Sequence, residues 1–320
     1  MKVTIVVPTI REKNIQEFLD AWQDEFAMAE IIIVEDNPSR TFDLKGHSNI
    51  AHYSWEDIDR ELGESSWIIP RRTDCVRSYG YYKAYQTRPD MLVTLDDDCY
   101  PMEPGGKGFL SRHWECLQGN GSAEAWRETG EGVVTRGVPY YNRARQRPVV
   151  LNHGLWNRIP DYDAPTQLLQ SRQPGEFRFT NQTIPVGMYF PMCGMNVALR
   201  PEAIPAFYFM LMGRDYAYDR FGDIWAGVLV KKICDHLGKA VRSGDPAVAH
   251  QRASNVWANL RKEAPGLEVN ETFWQAVDGV VLTGSTFGAC YKEVTDKVEL
   301  EGEYWIKLRR AMRVWAELFD

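Results

Sequence analysis

Residues 91–100, MLVTLDDDCY, decide the fold, because an apolar run leads directly into three consecutive carboxylates, Asp96, Asp97 and Asp98. A run of Leu, Val and Thr suits a central parallel strand that is buried on both faces. Parallel α/β sheets bind their ligands beyond the carboxyl ends of the strands. Adjacent carboxylates repel one another unless a cation compensates, and Mg²⁺ or Mn²⁺ is commonly held by carboxylates together with substrate phosphates. The stretch therefore predicts a buried strand that ends in a cation site, with an acidic turn as the alternative.

Composition narrows the class of protein. The chain has 320 residues, of which 44% are hydrophobic and 25% charged, as in ordinary soluble proteins. A net charge of −7 argues against general nucleic-acid binding. The six cysteines show no C-x-x-C pair or zinc spacing, which indicates reduced thiols. Without a leader or a run of about 18 apolar residues, the sequence predicts a cytoplasmic protein that does not span a membrane.

Two β-α units open the chain. Residues 2–7 predict a first strand that stops at Pro8, and an amphipathic helix follows. Residues 30–34 predict a second strand, which delivers Asp36 at its end, where it could accept hydrogen bonds from a ribose or base. Two such units favour a doubly wound parallel sheet. No G-x-G-x-x-G accompanies them, so a dinucleotide fold is disfavoured, and neither NAD nor flavin is expected.

Two segments of this acidic chain are rich in arginine. Residues 67–85 interleave Arg77 and other basic residues with tyrosines, and the fork of an arginine matches phosphate oxygens. A half-exposed helix with a solvated basic face is the alternative. Residues 136–147 carry four arginines, including Arg136 and Arg143, and predict either an anion-binding rim or a solvated basic loop.

Further carboxylates follow in two segments. Residues 154–167, GLWNRIPDYDAPTQ, combine aromatic rings with Asp161 and Asp163, which suits a sugar, and their prolines are expected to forbid a helix. A packed loop with capping aspartates is the alternative. A helix is expected to begin near Gly222 or Asp223, where Asp223 is either an N-cap or an active-site carboxylate.

The order of ten sequence blocks resembles a known family. The blocks are VVPTIR, IIIVEDNPS, DCVRSYGY, TLDDDCY, TRGVPYY, HGLWNRIPDYDAPTQ, FPMCGMN, RFGDIWAG, KKICDHLG and HQRASN. Together they are similar to the reversibly glycosylated polypeptides, the UDP-arabinopyranose mutase family. They extend from residue 3 to about 263, and the chain resembles a compact, microbial member. We expect residues 1–265 to form the nucleotide-sugar-binding catalytic domain and residues 266–320 a helical extension packed on the core or at an interface.

The resemblance implies a fold and an activity. The fold is the A-type glycosyltransferase fold, an α/β arrangement with a Rossmann-like, mostly parallel sheet flanked by helices. The activity is a cytosolic, Mn²⁺-dependent interconversion of UDP-L-arabinopyranose and UDP-L-arabinofuranose, with Mg²⁺ as a second metal option. The implied partner is the UDP-sugar substrate, and a homo-oligomer is compatible with it.

The resemblance also implies roles for individual residues. It assigns Asp98 and His250 to the metal, with Asp96 and Asp97 of the D-X-D motif contacting the metal or the ribose. A lone histidine is otherwise usually structural. The expected nucleotide pocket further consists of Thr9, Arg11, Asp36 and Arg77.

The family is glycosylated on an arginine in the block that here reads TRGVPYY, which carries this role to Arg136. The second arginine of that block corresponds to Arg143, where the sequence departs from the family with one extra residue before His153. A guanidinium keeps its proton in proteins, so Arg136 needs a base to act as a transient covalent acceptor. The candidate bases are Asp161, Asp163 and Asp223. In the competing interpretation Arg136 binds diphosphate and is glycosylated in a side reaction.

Three alternatives to the arabinose mutase stay open at this point. A transferase would move the sugar to an external acceptor. A mutase could act on a different nucleotide sugar. A non-catalytic member would serve as a partner in a hetero-oligomer.

Overall fold

The structure, a computed structural model, describes residues 1–44, 46, 49–123, 128–130, 133–134, 136–137, 145–170, 180–251 and 254–320. The strands are β1 (Val3–Thr9), β2 (Glu30–Glu35), β3 (Ile50–Tyr53), β4 (Met91–Leu95), β5 (Cys99–Pro101), β6 (Asn120–Ala123), β7 (Glu128–Gly130), β8 (Val133–Val134), β9 (Arg145–Arg158), β10 (Gln182–Thr183), β11 (Asn196–Leu199) and β12 (Ala240–His250). The α-helices are α1 (Glu12–Ala21), α2 (Gln23–Phe26), α3 (Trp55–Leu62), α4 (Arg77–Thr87), α5 (Phe109–Gln118), α6 (Ala164–Leu169), α7 (Gly222–His236), α8 (Val256–Asp278), α9 (Phe287–Lys297) and α10 (Glu303–Glu317).

A single large sheet organises the described part of the chain. Its strand order is β10-β12-β9-β11-β4-β1-β2-β3, and β5 and β6 pair with β12 and β9. The pairs β1–β2, β1–β4, β2–β3 and β9–β12 are parallel, whereas β11 lies antiparallel between β4 and β9. This arrangement confirms the predicted α/β fold with a mixed, mostly parallel sheet, and it confirms the strand predicted at the start of the acidic stretch.

Helices cover both faces of this sheet, so its central strands are buried. Every residue of β1 and β4 is buried. On one face, side chains of α1, α2 and α5 such as Phe18, Phe26 and Phe109 pack on the sheet. On the other face α4 approaches so closely that a Cβ on Gly80 would lie 2.5 Å from a methyl group of Val6. The result is a three-layer α/β/α arrangement.

The C-terminal helices share the core on the α4 face of the sheet. The rings of Phe273 in α8 and Trp305 in α10 lie 4.9 Å and 5.5 Å from that of Trp225 in α7. Helix α8 runs without interruption through residues 265 and 266, where the sequence predicted a domain boundary. None of the described helices is long and apolar enough to cross a membrane.

Two predictions about proline were wrong. Strand β1 continues through Pro8 to Thr9, because Pro8 stays in register with Val34 and the Thr9 carbonyl accepts the next hydrogen bond, from the amide of Asp36 at 2.8 Å. Prolines were also expected to forbid a helix in residues 154–167, yet α6 begins there. Its proline occupies the first turn, where the missing N–H costs no helical hydrogen bond.

Candidate functional site

The carboxyl ends of the parallel strands meet at one edge of the sheet, and the predicted nucleotide and metal residues gather there. Strand β1 ends at Thr9, β4 runs into the acidic triplet, and β12 ends at His250. Two arginines offset the mutual repulsion of the triplet: Arg77 pairs with Asp96, and Arg11 pairs with Asp97 and lies 3.4 Å from Asp98. Asp98 also faces His250.

Asp97 joins the triplet to the end of β1. Its carboxylate accepts hydrogen bonds from Thr9 Oγ1 at 2.6 Å and from Arg11 Nε at 3.2 Å, and it forms an ion pair with Arg11. Burial raises the pKa of Asp97, although the Arg11 guanidinium opposes this effect. The arginine is 38% exposed, so one side of its fork faces solvent or a ligand.

Asp96 is paired with Arg77, which is one of the largest fully buried side chains. Arg77 Nη1 also donates to Thr94 Oγ1 at 3.0 Å and to the carbonyl oxygen of Gly194 at 2.5 Å. Burial alone would lower the pKa of Arg77, but the charge of Asp96, together with Tyr81, Asp74 and the Asp96 hydrogen bond, raises that pKa overall. Arg77 therefore holds β4, α4 and the turn before β11 in one geometry.

Asp98 faces His250, with 3.9 Å between Oδ1 and Nε2. The ring is oriented by its other nitrogen, because Nδ1 lies 3.0 Å from the carbonyl oxygen of Ile159. A carbonyl only accepts, so Nδ1 carries a proton and Nε2 is the ring nitrogen that faces Asp98. Burial, followed by the charge of Asp96, raises the pKa of Asp98 to about 6.

Asp36 lies on the wall of a cavity of about 450 Å³. Its Oδ1 accepts from Trp55 Nε1 at 2.7 Å and from the Arg72 amide at 2.9 Å, and the Arg72 guanidinium lies 5.4 Å from the Trp55 ring centroid. Burial raises the pKa of Asp36 to about 6, although the Trp55 hydrogen bond opposes it. This Asp36 cavity also brings together Thr9, Arg11, Asp74, Arg77, Asp96 and Asp97.

A second cavity, of about 430 Å³, lies beside the first. Its wall combines aromatic rings with carboxylates, including Trp156 and Tyr162, which pack edge to face at 5.8 Å. We refer to it as the Asp223 cavity. The carboxylates on its wall are Asp161, Asp163, Asp223 and Glu263.

Asp223 lies at the first turn of α7, the helix that starts at Gly222 as predicted. Its Oδ2 accepts from the Gly194 amide at 2.8 Å and its Oδ1 from the Ile224 amide at 2.9 Å. Burial, together with the charge of Asp74, raises the pKa of Asp223 to about 7. A carboxyl group with such a pKa can both hold and release a proton near neutral pH.

The other two carboxylates proposed as bases have different surroundings. Asp163 is exposed and caps α6, because its oxygens accept from the amide and the hydroxyl of Thr166 at 2.9 Å and 2.7 Å. Asp161 accepts from the thiol of Cys193 at 2.5 Å, inside the Asp223 cavity. The capping interpretation therefore describes the contacts of Asp163.

Gly194 connects the two cavities. Its carbonyl oxygen accepts from Arg77, which binds Asp96 in the Asp36 cavity, and its amide donates to Asp223 in the neighbouring cavity. The backbone before β11 is thus fixed from both sides. A ligand with an anionic linker could extend from one cavity into the other at this point.

Comparison with known proteins agrees with this geometry. The family model described as "Reversibly glycosylated polypeptide" matches residues 1–320. The chain belongs to this family. "Probable UDP-arabinopyranose mutase 1" from Pisum sativum is 36% identical over 344 residues, covering 100% of this chain and 90% of the pea protein. "UDP-arabinopyranose mutase 1" from Arabidopsis thaliana is 36% identical over all of this chain and 92% of its own length, and the protein of that name from Oryza sativa subsp. japonica is 34% identical over all of this chain.

The described contacts do not place Arg136, to which the family resemblance assigns the glycosylation, in either cavity. Arg136 is exposed and occupies a turn with Gly137. Arg143 lies outside the described residues. Since most of the segment from residue 131 to 144 also lies outside them, the structure bears on Arg136 only through its exposure.

Several residues on the cavity walls escaped sequence reasoning in this family member. Trp55 and Asp74 line the Asp36 cavity, and Arg220 and Glu263 line the Asp223 cavity. One sequence signal could have drawn attention to Arg220, which closely precedes the predicted start of a helix at Gly222 or Asp223.

Proposed function

We propose that this protein interconverts UDP-L-arabinopyranose and UDP-L-arabinofuranose in the cytoplasm. The observation that supports this most is the pair of adjoining cavities, one lined by arginines and the Asp36 carboxylate and the other by aromatic rings and carboxylates. Full-length relatives that carry the mutase name point to the same reaction. The nucleotide would occupy the Asp36 cavity and the sugar the Asp223 cavity, with the diphosphate between them.

The residues of the Asp36 cavity would bind the nucleotide by complementary hydrogen bonds. The Asp36 carboxylate, fixed by Trp55 and the Arg72 amide, can accept from a ribose hydroxyl or a base N–H. The exposed part of the Arg11 fork can donate to a phosphate oxygen. Arg77 has its donors occupied by protein oxygens, so its role would be to position Asp96 and Gly194.

We also propose that Mn²⁺, with Mg²⁺ as a second option, binds between Asp98 and His250. Their facing donor atoms, one carboxylate oxygen and one imidazole nitrogen oriented by a backbone carbonyl, suit such an ion. Within the described residues no three His, Cys, Asp or Glu side chains form a metal-binding group. The remaining ligands would come from the diphosphate and water, as is usual for such sites. When bound, the ion would neutralise charge on the departing diphosphate.

We expect Asp98→Asn to lower turnover about a hundredfold, about 3 kcal/mol in the barrier, because one of two protein donors loses its charge. The Mn²⁺ concentration needed for half-maximal activity should rise in the same variant. Initial rates across a Mn²⁺ titration measure both effects. Asp20→Asn, which removes an exposed carboxylate from α1, is the control and should match the wild type. An unchanged Mn²⁺ requirement in the Asp98 variant would contradict the metal assignment.

The chemistry requires the sugar to be held while it leaves and rejoins UDP. We propose that a nitrogen of Arg136 bonds to the anomeric carbon as the bond to the UDP oxygen breaks, with the bonding electrons leaving on UDP. The guanidinium proton passes to Asp223. The nitrogen lone pair then opens the ring and the ring oxygen takes up a proton. Another hydroxyl closes the ring on the anomeric carbon and releases a proton. A phosphate oxygen of UDP finally displaces the nitrogen, and Asp223 returns the proton to Arg136. Asp223 is the preferred base because its pKa is near neutrality and it lines the sugar cavity.

Asp223→Asn is expected to lower kcat about a hundredfold, since the proton acceptor is lost. In the wild type kcat should fall as pH drops below about 7, because Asp223 becomes protonated, and the asparagine variant should lack this limb. The raised pKa also means that the folded state binds this proton more tightly than the unfolded state does. Stability of the wild type relative to the variant should therefore fall as pH rises from about 4 to about 7.

Rate profiles and urea unfolding of both proteins between pH 5 and pH 8 measure these effects. Asp219→Asn is the matched control, because Asp219 is a buried carboxylate of the same segment and faces Lys262 rather than the cavity. If the acid limb of kcat persisted in the Asp223 variant, another group would have to be the base.

A transferase that moves the sugar to an external acceptor is the second candidate function. Both cavities are open, so an acceptor could reach the sugar. Product analysis of a UDP-arabinose incubation with and without added sugar acceptors separates the two functions. The mutase converts one nucleotide sugar into the other without an acceptor, whereas the transferase releases UDP in proportion to a new glycoside.

A further inference from the structure

Arg220 precedes α7 in an unusual backbone conformation. Its φ of +68° lies in the left-handed region, which costs free energy for a residue with a Cβ. Two residues later the start of α7 is closely packed, since a Cβ on Gly222 would lie 2.6 Å from Cys75 Sγ. The Arg220 side chain lines the wall of the Asp223 cavity.

A buried carboxylate fixes the direction of this side chain. Arg220 Nε donates to Glu263 Oε1 at 2.8 Å, and Glu263 Oε2 accepts from the Ala164 amide at 2.6 Å. Glu263 is only 3% exposed, so it is held rigidly between α6 and α8. The Glu263 contact uses Nε, so Nη1, on the opposite side of the guanidinium, is directed away from Glu263.

Arg220 also lies near carboxylates of both cavities. The charges that act on it include those of Asp161 in the Asp223 cavity and of Asp74, which lines the Asp36 cavity. Burial would lower the pKa of Arg220, but the Glu263 hydrogen bond and the charges of Asp74, Glu263 and Asp161 raise it. The guanidinium thus interacts electrostatically with carboxylates of both cavities and stays charged.

The wall of the Asp223 cavity is rich in carboxylates, and this negative charge defines the role of Arg220. Its described wall carries four carboxylates and, among Arg and Lys side chains, only Arg220. Four carboxylates would repel the diphosphate of a nucleotide sugar whose sugar end enters this cavity. A fixed guanidinium on this wall offsets that repulsion where charge develops as the sugar leaves the β-phosphate.

We propose that Arg220 is a catalytic residue that contacts the β-phosphate of a nucleoside diphosphate sugar and stabilises the diphosphate when the sugar departs. The inference deepens the proposed function and rests on it for the identity of the ligand. Glu263 acts through Arg220 and is a positioning residue.

The test compares binding of UMP and UDP by calorimetry in the wild type and in Arg220→Gln, because only UDP has a β-phosphate. We expect UMP affinity to be unchanged and UDP affinity to fall roughly tenfold. With UDP-arabinose, kcat should fall about a hundredfold while the KM changes less. Arg220→Lys keeps the charge but loses the fork, so its UDP affinity and kcat should lie between those of the wild type and of Arg220→Gln.

Two further variants control for folding. Arg261→Gln removes an exposed arginine from α8, two residues from Glu263, and should behave like the wild type. Arg220→Gln leaves Glu263 buried without its cation, so the double variant Arg220→Gln/Glu263→Gln restores a neutral pair. The double variant should fold with wild-type affinity for UMP and still bind UDP weakly.

The outcomes separate this inference from the proposed function. Equal losses of UMP and UDP affinity, or unchanged kcat in the Arg220 variants of an active mutase, would overturn the role of Arg220 alone. A wild type that binds UDP more tightly than UMP but does not isomerise UDP-arabinose would overturn the mutase. In that case the UMP and UDP comparison would still decide the role of Arg220.

Discussion

Replacing Arg77 with methionine is expected to lower the free energy of unfolding by about 3 kcal/mol. The guanidinium is 1% exposed and binds Asp96, Thr94 Oγ1 and the Gly194 carbonyl, all of which lose a donor in the variant. The expected value lies at the low end for a buried pair because Asp96 is 37% exposed and can be partly hydrated. UDP binding should weaken as well, because Asp96 and Gly194 shape the junction of the two cavities.

Urea unfolding monitored by fluorescence measures this effect. Arg112→Met, an exposed arginine of α5, is the matched control and should change stability by less than about 0.5 kcal/mol. Arg77→Lys keeps the charge but cannot reach all three oxygens, so we expect an intermediate loss. If Arg77→Met were as stable as the control, Arg77 would not organise the site in the way we describe.

Arg136→Ala is expected to abolish mutase turnover and, with radiolabelled UDP-arabinose, the labelling of the protein. Both losses follow if the sugar is bonded to Arg136 during ring opening, because no other step holds it after UDP has left. Turnover and protein-bound label are measured on the same samples by chromatography and by acid precipitation. Because Arg136 is exposed, we expect its removal to leave the free energy of unfolding unchanged within about 0.5 kcal/mol.

Arg147→Ala is the matched control, since Arg147 belongs to the same arginine-rich stretch but donates to the Asp235 carbonyl at 3.1 Å. It should keep both turnover and label. Full turnover without label in Arg136→Ala would show that glycosylation is a side reaction and would leave Asp223 to act without a covalent intermediate.

The sequence predicted the acidic edge of the sheet well because its signal is local. A run of five strand-forming residues before Asp96 sets the strand, and the ends of neighbouring parallel strands then bring Thr9, Asp36 and His250 to the same edge. Helix α7 was located correctly for a similar reason, since Gly222 and Asp223 stand directly before its apolar run.

Features that depend on distant residues could not be predicted in this way. A half-exposed helix was one interpretation of the segment that contains Arg77, yet Arg77 is buried because its partners come from β4 and the turn at Gly194. The proline of α6 was misjudged because only its position in the first turn makes it harmless. The contact of Arg220 with Glu263 joins residues 43 positions apart, which no local pattern reveals.

The most direct test of the mutase proposal is to incubate the purified protein with UDP-L-arabinofuranose and Mn²⁺, with and without a chelator, and to resolve the nucleotide sugars by chromatography. We expect UDP-L-arabinopyranose to appear only without chelator and without any need for an external acceptor. Unchanged UDP-L-arabinofuranose in both samples, or release of free UDP without the pyranose form, would contradict it.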